Sequence, residues 1–438
     1  MPSPVSGFSK LSKAEKILWL RQNFLSAGAN SPDPDWHEKI LEHFWSSDTA
    51  FQNVFDNFSE NTVSNYHLPY SIAPNFLIDG RLYAVPMVTE ESSVVAAASA
   101  GAKFWLNRGG FSTRIINNLK EGQIHFTWSG DAVMLNNFVQ THIESFFSAC
   151  SGTTERMEKR GGGISSITLR DFNAIEPQYY QLQVQFKTAD AMGANFINSV
   201  LEELSQFFSR KLTTETQIAP SIIMSILSNY TPDCIVESKV QCKISDFGDK
   251  NAHFYAEKFR KAVRIAQIDT YRAVTHNKGI MNGVDSVVIA TGNDFRAIEA
   301  GAHAYAARDG MYKSLSECII EDNIFTMRVT LPLAVGTVGG LTRLHPLAKL
   351  SLELLQSPTS EQLMSIMASV GLAQNFAAVR SLVTTGIQKG HMKLHLSNIL
   401  NEMNASKTAS ESAQIYFEQH TVSVNAVRDF LQEFNEKK

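Results

Sequence analysis

Lys278 and Asp294 flank a short β-branched run, Val287-Val288-Ile289, inside two polar, glycine-punctuated segments. The first is Thr275-His276-Asn277-Lys278-Gly279-Ile280-Met281-Asn282-Gly283-Val284-Asp285, and the second is Ala290-Thr291-Gly292-Asn293-Asp294. Glycine spacing predicts turns on either side of a Val-Val-Ile strand, with a lysine and a carboxylate carried in those turns. Such a placement suits ionisable chemistry better than packing. Taken singly, each candidate residue has an ordinary structural role. Lys278 and His391 read as surface groups, Arg272 as half of a salt bridge, Glu91 as a first-turn acid and Asp294 as the N-cap before Phe295-Arg296-Ala297. Asp190 reads as another cap, and Ser93 and Asn282 as turn residues.

General motifs do not explain the chain. It contains no G-x-x-x-x-G-K-[ST] phosphate loop, and neither Gly161-Gly162-Gly163 nor Gly336-Thr337-Val338-Gly339-Gly340 has the G-x-G-x-x-G spacing of a Rossmann turn. His391-Met392-Lys393-Leu394-His395 lacks the glutamate of a zincin, so no metal is expected. Cys150, Cys234, Cys242 and Cys318 form no C-x-x-C and read as reduced and structural.

The elements that must position these groups follow from composition and pattern. With 438 residues, 44% of them hydrophobic, the chain can bury more than one core. Net charge of -4 and a pI near 6.3 leave no basic stripe, so nucleic acid is not an expected partner. The N-terminus lacks a signal-peptide pattern and no uncharged apolar run has the length of a membrane span, so a cytoplasmic location with no membrane partner is expected. Ser12 to Glu15 has capping-box form ahead of Ile17, Leu20 and Phe24. Pro69 to Asp79 and Tyr83 to Val88 read as extended, and Ser93 to Phe104 as a helix whose small residues permit close packing. Between Phe111 and Asn229, strands at 124–128 and 182–186 alternate with helices at 136–150 and 195–212, a β-α-β-β-α-β rhythm. Helices are expected near 347–355 and 361–370. The polar stretch from Asn401 to Ser412 and the amphipathic end at 424–434 read as a mobile flap or docking tail.

A set of longer motifs then occurs in one order: Glu60-Asn61, Pro86-Met87-Val88-Thr89-Glu90-Glu91, Asp190-Ala191-Met192-Gly193-Ala194-Asn195, Thr275 to Gly279, Ala290 to Asp294, Gly371-Leu372-Ala373-Gln374-Asn375 and Gly390-His391-Met392. Together they resemble the class II, soluble bacterial 3-hydroxy-3-methylglutaryl-CoA (HMG-CoA) reductases, from about Glu60 to His395. The resemblance implies an α+β fold. Its parts are an N-terminal helical, dimerising segment (1–58), a large α/β HMG-CoA domain (59–111 and 230–385), an inserted ferredoxin-like, non-Rossmann cofactor domain (112–229) and a C-terminal helical flap (386–438). It implies interconversion of HMG-CoA with mevalonate and CoA through mevaldyl-CoA and mevaldehyde, using two NADPH, or NADH, in a homodimer whose site lies at the subunit interface.

Carried over motif by motif, the resemblance makes Glu91, Lys278, Asp294 and His391 catalytic. It gives Arg272, Ser93 and Asn282 to the HMG group and Asp190, Met192, Gly193 and Asn195 to the dinucleotide. Thr154 stands where NADH-preferring members carry an aspartate, and with Arg156, Lys159 and Arg160 near it the sequence leans to NADPH. An ammonium at 278 suits the oxyanion formed by hydride addition, Asp294 in reach of both Lys278 and Glu91 keeps one charged and the other protonated, and His391 protonates the leaving thiolate. Ser64 and Ser92 depart from an expected glycine and proline. Two rivals remain: a CoA-acylating aldehyde dehydrogenase with a cysteine nucleophile, and a non-catalytic acyl-CoA-binding paralogue.

Overall fold

The structure is a computed structural model that describes residues 4–25, 35–247, 251–384, 396–397, 399–417 and 420–436. Helix α1 (Lys13–Asn23) starts on the expected reciprocal cap: the Ser12 hydroxyl accepts from the Glu15 amide at 3.3 Å and the Glu15 carboxylate from the Ser12 amide at 2.7 Å. Helices α2 (Trp36–His43) and α3 (Thr49–Asp56) follow, the latter capped by Asp48. The described residues up to Pro69, with Leu344–Pro346, form one compact unit. Inside it Lys13 pairs with Asp56, and the Trp45 indole N–H donates to Val63 O at 2.9 Å. Ser64 donates to Leu41 O at 2.6 Å, and the positive φ of this loop, 60°, falls on Asn61. Position 64 therefore does not require glycine.

The second unit opens with the hairpin β1 (Tyr70–Ile78) and β2 (Arg81–Val88). Asp79 and Gly80 at its tip both have positive φ, 47° and 80°, as a two-residue hairpin turn demands. After α4 (Val94–Leu106) and β3 (Ser112–Asn118) come β4 (Lys120–Thr127), α5 (Ala132–Ala149), α6 (Ser151–Glu158), β5 (Gly163–Asp171), β6 (Tyr179–Lys187), α7 (Ala194–Thr216) and β7 (Ser221–Ser228). Their sheet runs β5-β6-β4-β7, antiparallel throughout, which is the ferredoxin-like order. Period-two burial makes it one-sided: Ile124, Phe126, Leu182, Val184 and Phe186 meet Phe138, Leu201 and Phe208 of the helices. β3, which begins the span expected as the cofactor domain (112–229), hydrogen-bonds to β8 (Cys234–Lys243) in a different sheet.

That second sheet runs β3-β8-β10-β9, with β9 at Ser316–Glu321 and β10 at Ile324–Pro332. Around it lie α8 (Ala252–Ile268), α9 (Thr270–Ala290), α10 (Phe295–Ala306), α11 (Gly340–Leu344), α12 (Pro346–Leu354) and α13 (Ser360–Val383). The Val287-Val288-Ile289 strand expected from the sequence does not form, and the residues lie in α9. Asp269 starts that helix by accepting from the amides of Tyr271 and Arg272 at 3.2 and 3.3 Å. Neither of its glycines makes a turn, and Gly283 serves packing. A Cβ at Gly283 would stand 2.9 Å from Val370 O, one at Gly371 would stand 2.8 Å from Val284, and one at Gly101 of α4 would stand 2.4 Å from Ala373 O.

Three helices thus touch backbone to backbone, with α13 in the middle. By length and composition α13 could cross a membrane, yet most of it is buried inside the protein, where Ser369 and Asn375 sit among its apolar residues. Toward the C-terminus, α14 (Lys407–Tyr416) and α15 (Val424–Glu436) share an apolar cluster with Leu396, Ile399 and Leu400. The polar stretch read as a tail is therefore partly helical: Ala409 and Ala413 pack inward while Ser, Thr and Glu face out.

Candidate active site

Helical geometry in α9 sorts its residues by face. His276, Asn277, Ile280, Gly283, Val284 and Val287 go inward, while Lys278, Asn282 and Asp285 fall on one stripe at i, i+4 and i+7. Opposite that stripe is the loop from β2 to α4. Glu91 is held there by a hydrogen bond from its amide to Thr89 Oγ1 at 3.2 Å, and Ser93 takes a left-handed φ of 71° to start α4. Lys278 Nζ forms a short ion pair with Glu91 Oε2, and Asn282 Nδ2 donates to the same oxygen at 3.5 Å. Both partners stay accessible, with side chains 58% and 40% exposed. Of the four residues proposed as catalytic, the fold brings these two into contact.

Asp294 is elsewhere. It caps α10, accepting from the amides of Arg296 and Ala297 at 3.0 and 3.2 Å, and lies 3.5 Å from the Arg296 guanidinium. Among the described residues it has no bond to Lys278 or Glu91, so the expected three-way contact is not made within this chain. His391 lies outside the described residues. Arg272, near the start of α9, is half-buried and has no carboxylate partner among the described residues, and burial lowers its pKa. A desolvated guanidinium without a counter-ion is a ready anchor for a carboxylate.

Ser93 is half-exposed at the start of α4, where its hydroxyl donates to Ser92 O. Asp285 escaped the sequence reading, although its place on the Lys278 stripe could have found it. Burial, a hydrogen bond to Glu299 and the charges of Glu299 and Glu90 push its pKa up to about 9. It is a neutral acid two turns beyond the lysine. The four cysteines are free, and burial pushes all their thiol pKa values up, Cys150 to about 12 and Cys242 to about 11. None is an activated thiolate, which removes the basis of the aldehyde dehydrogenase reading.

The segment from 190 to 195 sits at the start of α7. Gly193 has φ 95°, and a Cβ there would stand 2.5 Å from Thr188. Glycine is obligatory, and it leaves the first amides of a long helix uncovered, a setting that fits a pyrophosphate. Asp190 does not cap this helix; it accepts from Ser360 N at the start of α13, at 2.8 Å. Met192 is half-buried where Gly336 crosses it so closely that a Cβ would be 2.3 Å from Met192 N, while Asn195 is exposed. The Gly336 to Gly340 run, considered in the sequence only as a failed Rossmann turn, therefore packs against the 190–195 segment. Thr154 is a correction: its side chain is buried in α6, 1% exposed, with its hydroxyl turned to Ser151 O. Arg156 and Arg160 are exposed beside it.

Fold and site together define a mixed α and β protein with a lysine–carboxylate pair between helix α9 and the facing β2–α4 loop, and a non-Rossmann, ferredoxin-like subdomain with an open helix N-terminus. A family model described as hydroxymethylglutaryl-coenzyme A reductase matches residues 21–396. The chain is 36% identical over 400 residues to 3-hydroxy-3-methylglutaryl-coenzyme A reductase of Archaeoglobus fulgidus, covering 91% of this chain and 87% of that one. It is 33% identical over 377 residues to a probable reductase of the same name from Borreliella burgdorferi, covering 83% of each. Among solved structures, the Streptococcus pneumoniae enzyme matches with a TM-score of 0.73 at 35% identity, covering 98% of this chain and 100% of that one. A class II form from the same organism, bound to NADPH in open conformations, matches with a TM-score of 0.72 at 35% identity over 87% of this chain and 100% of that one. The chain belongs to the hydroxymethylglutaryl-coenzyme A reductase family.

Proposed function

We propose that this protein reduces HMG-CoA to mevalonate and CoA with two molecules of NADPH, as a homodimer. The observation that carries the reading is the Lys278–Glu91 ion pair, with Arg272, half-buried and without a carboxylate partner among the described residues, on the same helix as the lysine. NADPH, when bound, supplies the two hydrides. Arg272 holds the HMG carboxylate, with Ser93 and Asn282 bonding the rest of the acyl group. Lys278 neutralises the oxygen that becomes an alkoxide at the thioester carbon, and again at the aldehyde carbon. Collapse of the first adduct breaks the C–S bond and releases CoA as thiolate. His391 gives that thiolate one proton and Glu91 gives the second alkoxide another, so the two hydrides carry all four electrons and the two protons complete the balance.

On the cofactor side, the open amides at the start of α7 and the close-set Gly193 and Gly336 support a pyrophosphate site built from Asp190, Met192, Gly193 and Asn195. Exposed Arg156 and Arg160 favour a 2′-phosphate, and thus NADPH over NADH. Asp294 completes the centre only when brought to Lys278 by a neighbouring subunit or by movement of α10. Exposed Ile268, Tyr271, Val274 and Phe295 near the site support the first route, with a second copy of this chain as their cover. A cytoplasmic location belongs to the same reading.

Following NADPH oxidation with HMG-CoA, and product mevalonate, tests the proposal directly. Two NADPH consumed per mevalonate is the expected stoichiometry. Saturable acyl-CoA binding with no turnover would support the non-catalytic paralogue instead.

A further inference from the structure

Arg272 and His276 stand one turn apart on α9, so their side chains share a face, and a helical side chain leans back over the preceding turn. That carries the imidazole of His276 toward the arginine. His276 is 1% exposed and closes a ring of polar contacts. Its Nε2 lies 2.6 Å from Ser316 Oγ, the Ser316 hydroxyl donates to Asn375 Oδ1 at 2.9 Å, and Asn375 Nδ2 donates back to the His276 carbonyl at 3.5 Å.

The single Ser316 proton is committed to Asn375, so His276 Nε2 must be the donor to Ser316. Nδ1 is then a bare lone pair. It is buried and has no hydrogen-bond partner among the described residues. Burial and the nearby Arg272 charge push the imidazole pKa down to about 3, which keeps the ring neutral and Nδ1 an acceptor. On one side of this turn is a guanidinium with no carboxylate; on the other is an acceptor with no donor.

We propose that His276 is a positioning residue for substrate binding: its Nδ1 accepts an N–H of Arg272 when a carboxylate ligand draws the guanidinium inward, and the Ser316–Asn375 relay holds the ring in the tautomer that can do so. The inference rests on Arg272 being the carboxylate anchor of the proposed reaction.

Two isosteres separate the two nitrogens. In His276→Gln the amide nitrogen replaces Nε2 as donor to Ser316 but no acceptor remains at the Nδ1 position. In His276→Asn the side-chain oxygen replaces Nδ1 and the relay donor is lost. His276→Gln is expected to raise KM for HMG-CoA about tenfold with kcat within about twofold and KM for NADPH unmoved, while His276→Asn recovers most of the KM. An unchanged KM in His276→Gln, or equal losses in both variants, overturns the proposal.

Should either variant fail to fold, 15N-histidine NMR of the wild-type protein decides. A deprotonated Nδ1 that shifts upfield on adding 3-hydroxy-3-methylglutarate supports the assignment, and a protonated or unresponsive Nδ1 refutes it. Wild-type turnover of HMG-CoA separates the two claims. Its absence removes the functional reading, whereas normal turnover with an unmoved His276→Gln removes this inference alone.

Discussion

Lys278 and Glu91 neutralise each other across a gap open to solvent, and a substrate oxygen entering between them must exchange that pairing for a better one. Lys278→Ala should therefore lower kcat by about 10²-fold or more, since a preorganised group at a developing oxyanion is worth that much. Stopped-flow single turnovers, which isolate chemistry from product release, check it; a loss confined to KM would mean that the lysine only binds. Burial writes a second signature. His276 in the native chain has its pKa pushed down to about 3, below the ordinary histidine value. On acidification from about pH 6.5 the unfolded chain takes up a proton that the native chain refuses, so this contribution is complete above that pH and is lost as pH falls toward 3. Thermal melts from pH 7 down to about 5 should drop more steeply for wild type than for His276→Asn; parallel curves would show that the imidazole is not the group responsible. The types of these residues were legible in the sequence, but their states were not. Burial and partners decide those, and both come from contacts far apart in the chain.

At the scale of elements, what could be read was what has a short period. The β-α-β-β-α-β run, the Ser12 cap and the hairpin at Asp79-Gly80 follow from local pattern and stand in the structure. Helix α9 did not, because glycines 279 and 283 and the Val-Val-Ile run look like turns and strand while tertiary contact with α13 outweighs those preferences. Thr154 was misplaced for a similar reason: linear proximity to Arg156 says nothing about which face of α6 is buried. The two glycines of α9 make a paired prediction. Gly279 has helical φ and open space around its missing Cβ, so Gly279→Ala should raise stability by about 0.5–1 kcal/mol. A Cβ at Gly283 would stand 2.9 Å from both Gln374 Cβ and Val370 O, so Gly283→Ala should lower it by about 1–3 kcal/mol through overpacking. Denaturant melts of the two variants test both signs at once, and a destabilising Gly279→Ala or a neutral Gly283→Ala would contradict the packing argument.

At the scale of the whole molecule, one chain carries all the proposed parts, but among the described residues Asp294 makes no bond to Lys278 or Glu91. Lys278 meets Glu91, while Asp294 caps α10 next to Phe295, and Tyr271 at the start of α9 is 89% exposed. Solvent-facing aromatics beside a catalytic helix are costly in a lone chain and favourable under a second copy. If the second copy supplies the missing acid, Asp294 of one subunit serves Lys278 of the other, and a two-fold axis makes the exchange reciprocal. Subunit mixing exposes such sharing. Homodimers of Lys278→Ala and of Asp294→Ala each have two defective sites, but a mixed dimer pairs the intact lysine of one chain with the intact aspartate of the other and so regains one complete site. Mixing the inactive variants in equal amounts, with denaturation and refolding to exchange subunits, should restore about a quarter of wild-type activity, because about half the dimers are mixed and each has one good site of two. If co-purification through a tag carried by only one variant shows that mixed dimers have formed and the activity stays at the level of the parents, then Asp294 reaches Lys278 within its own chain, and movement of α10 becomes the way the centre is completed.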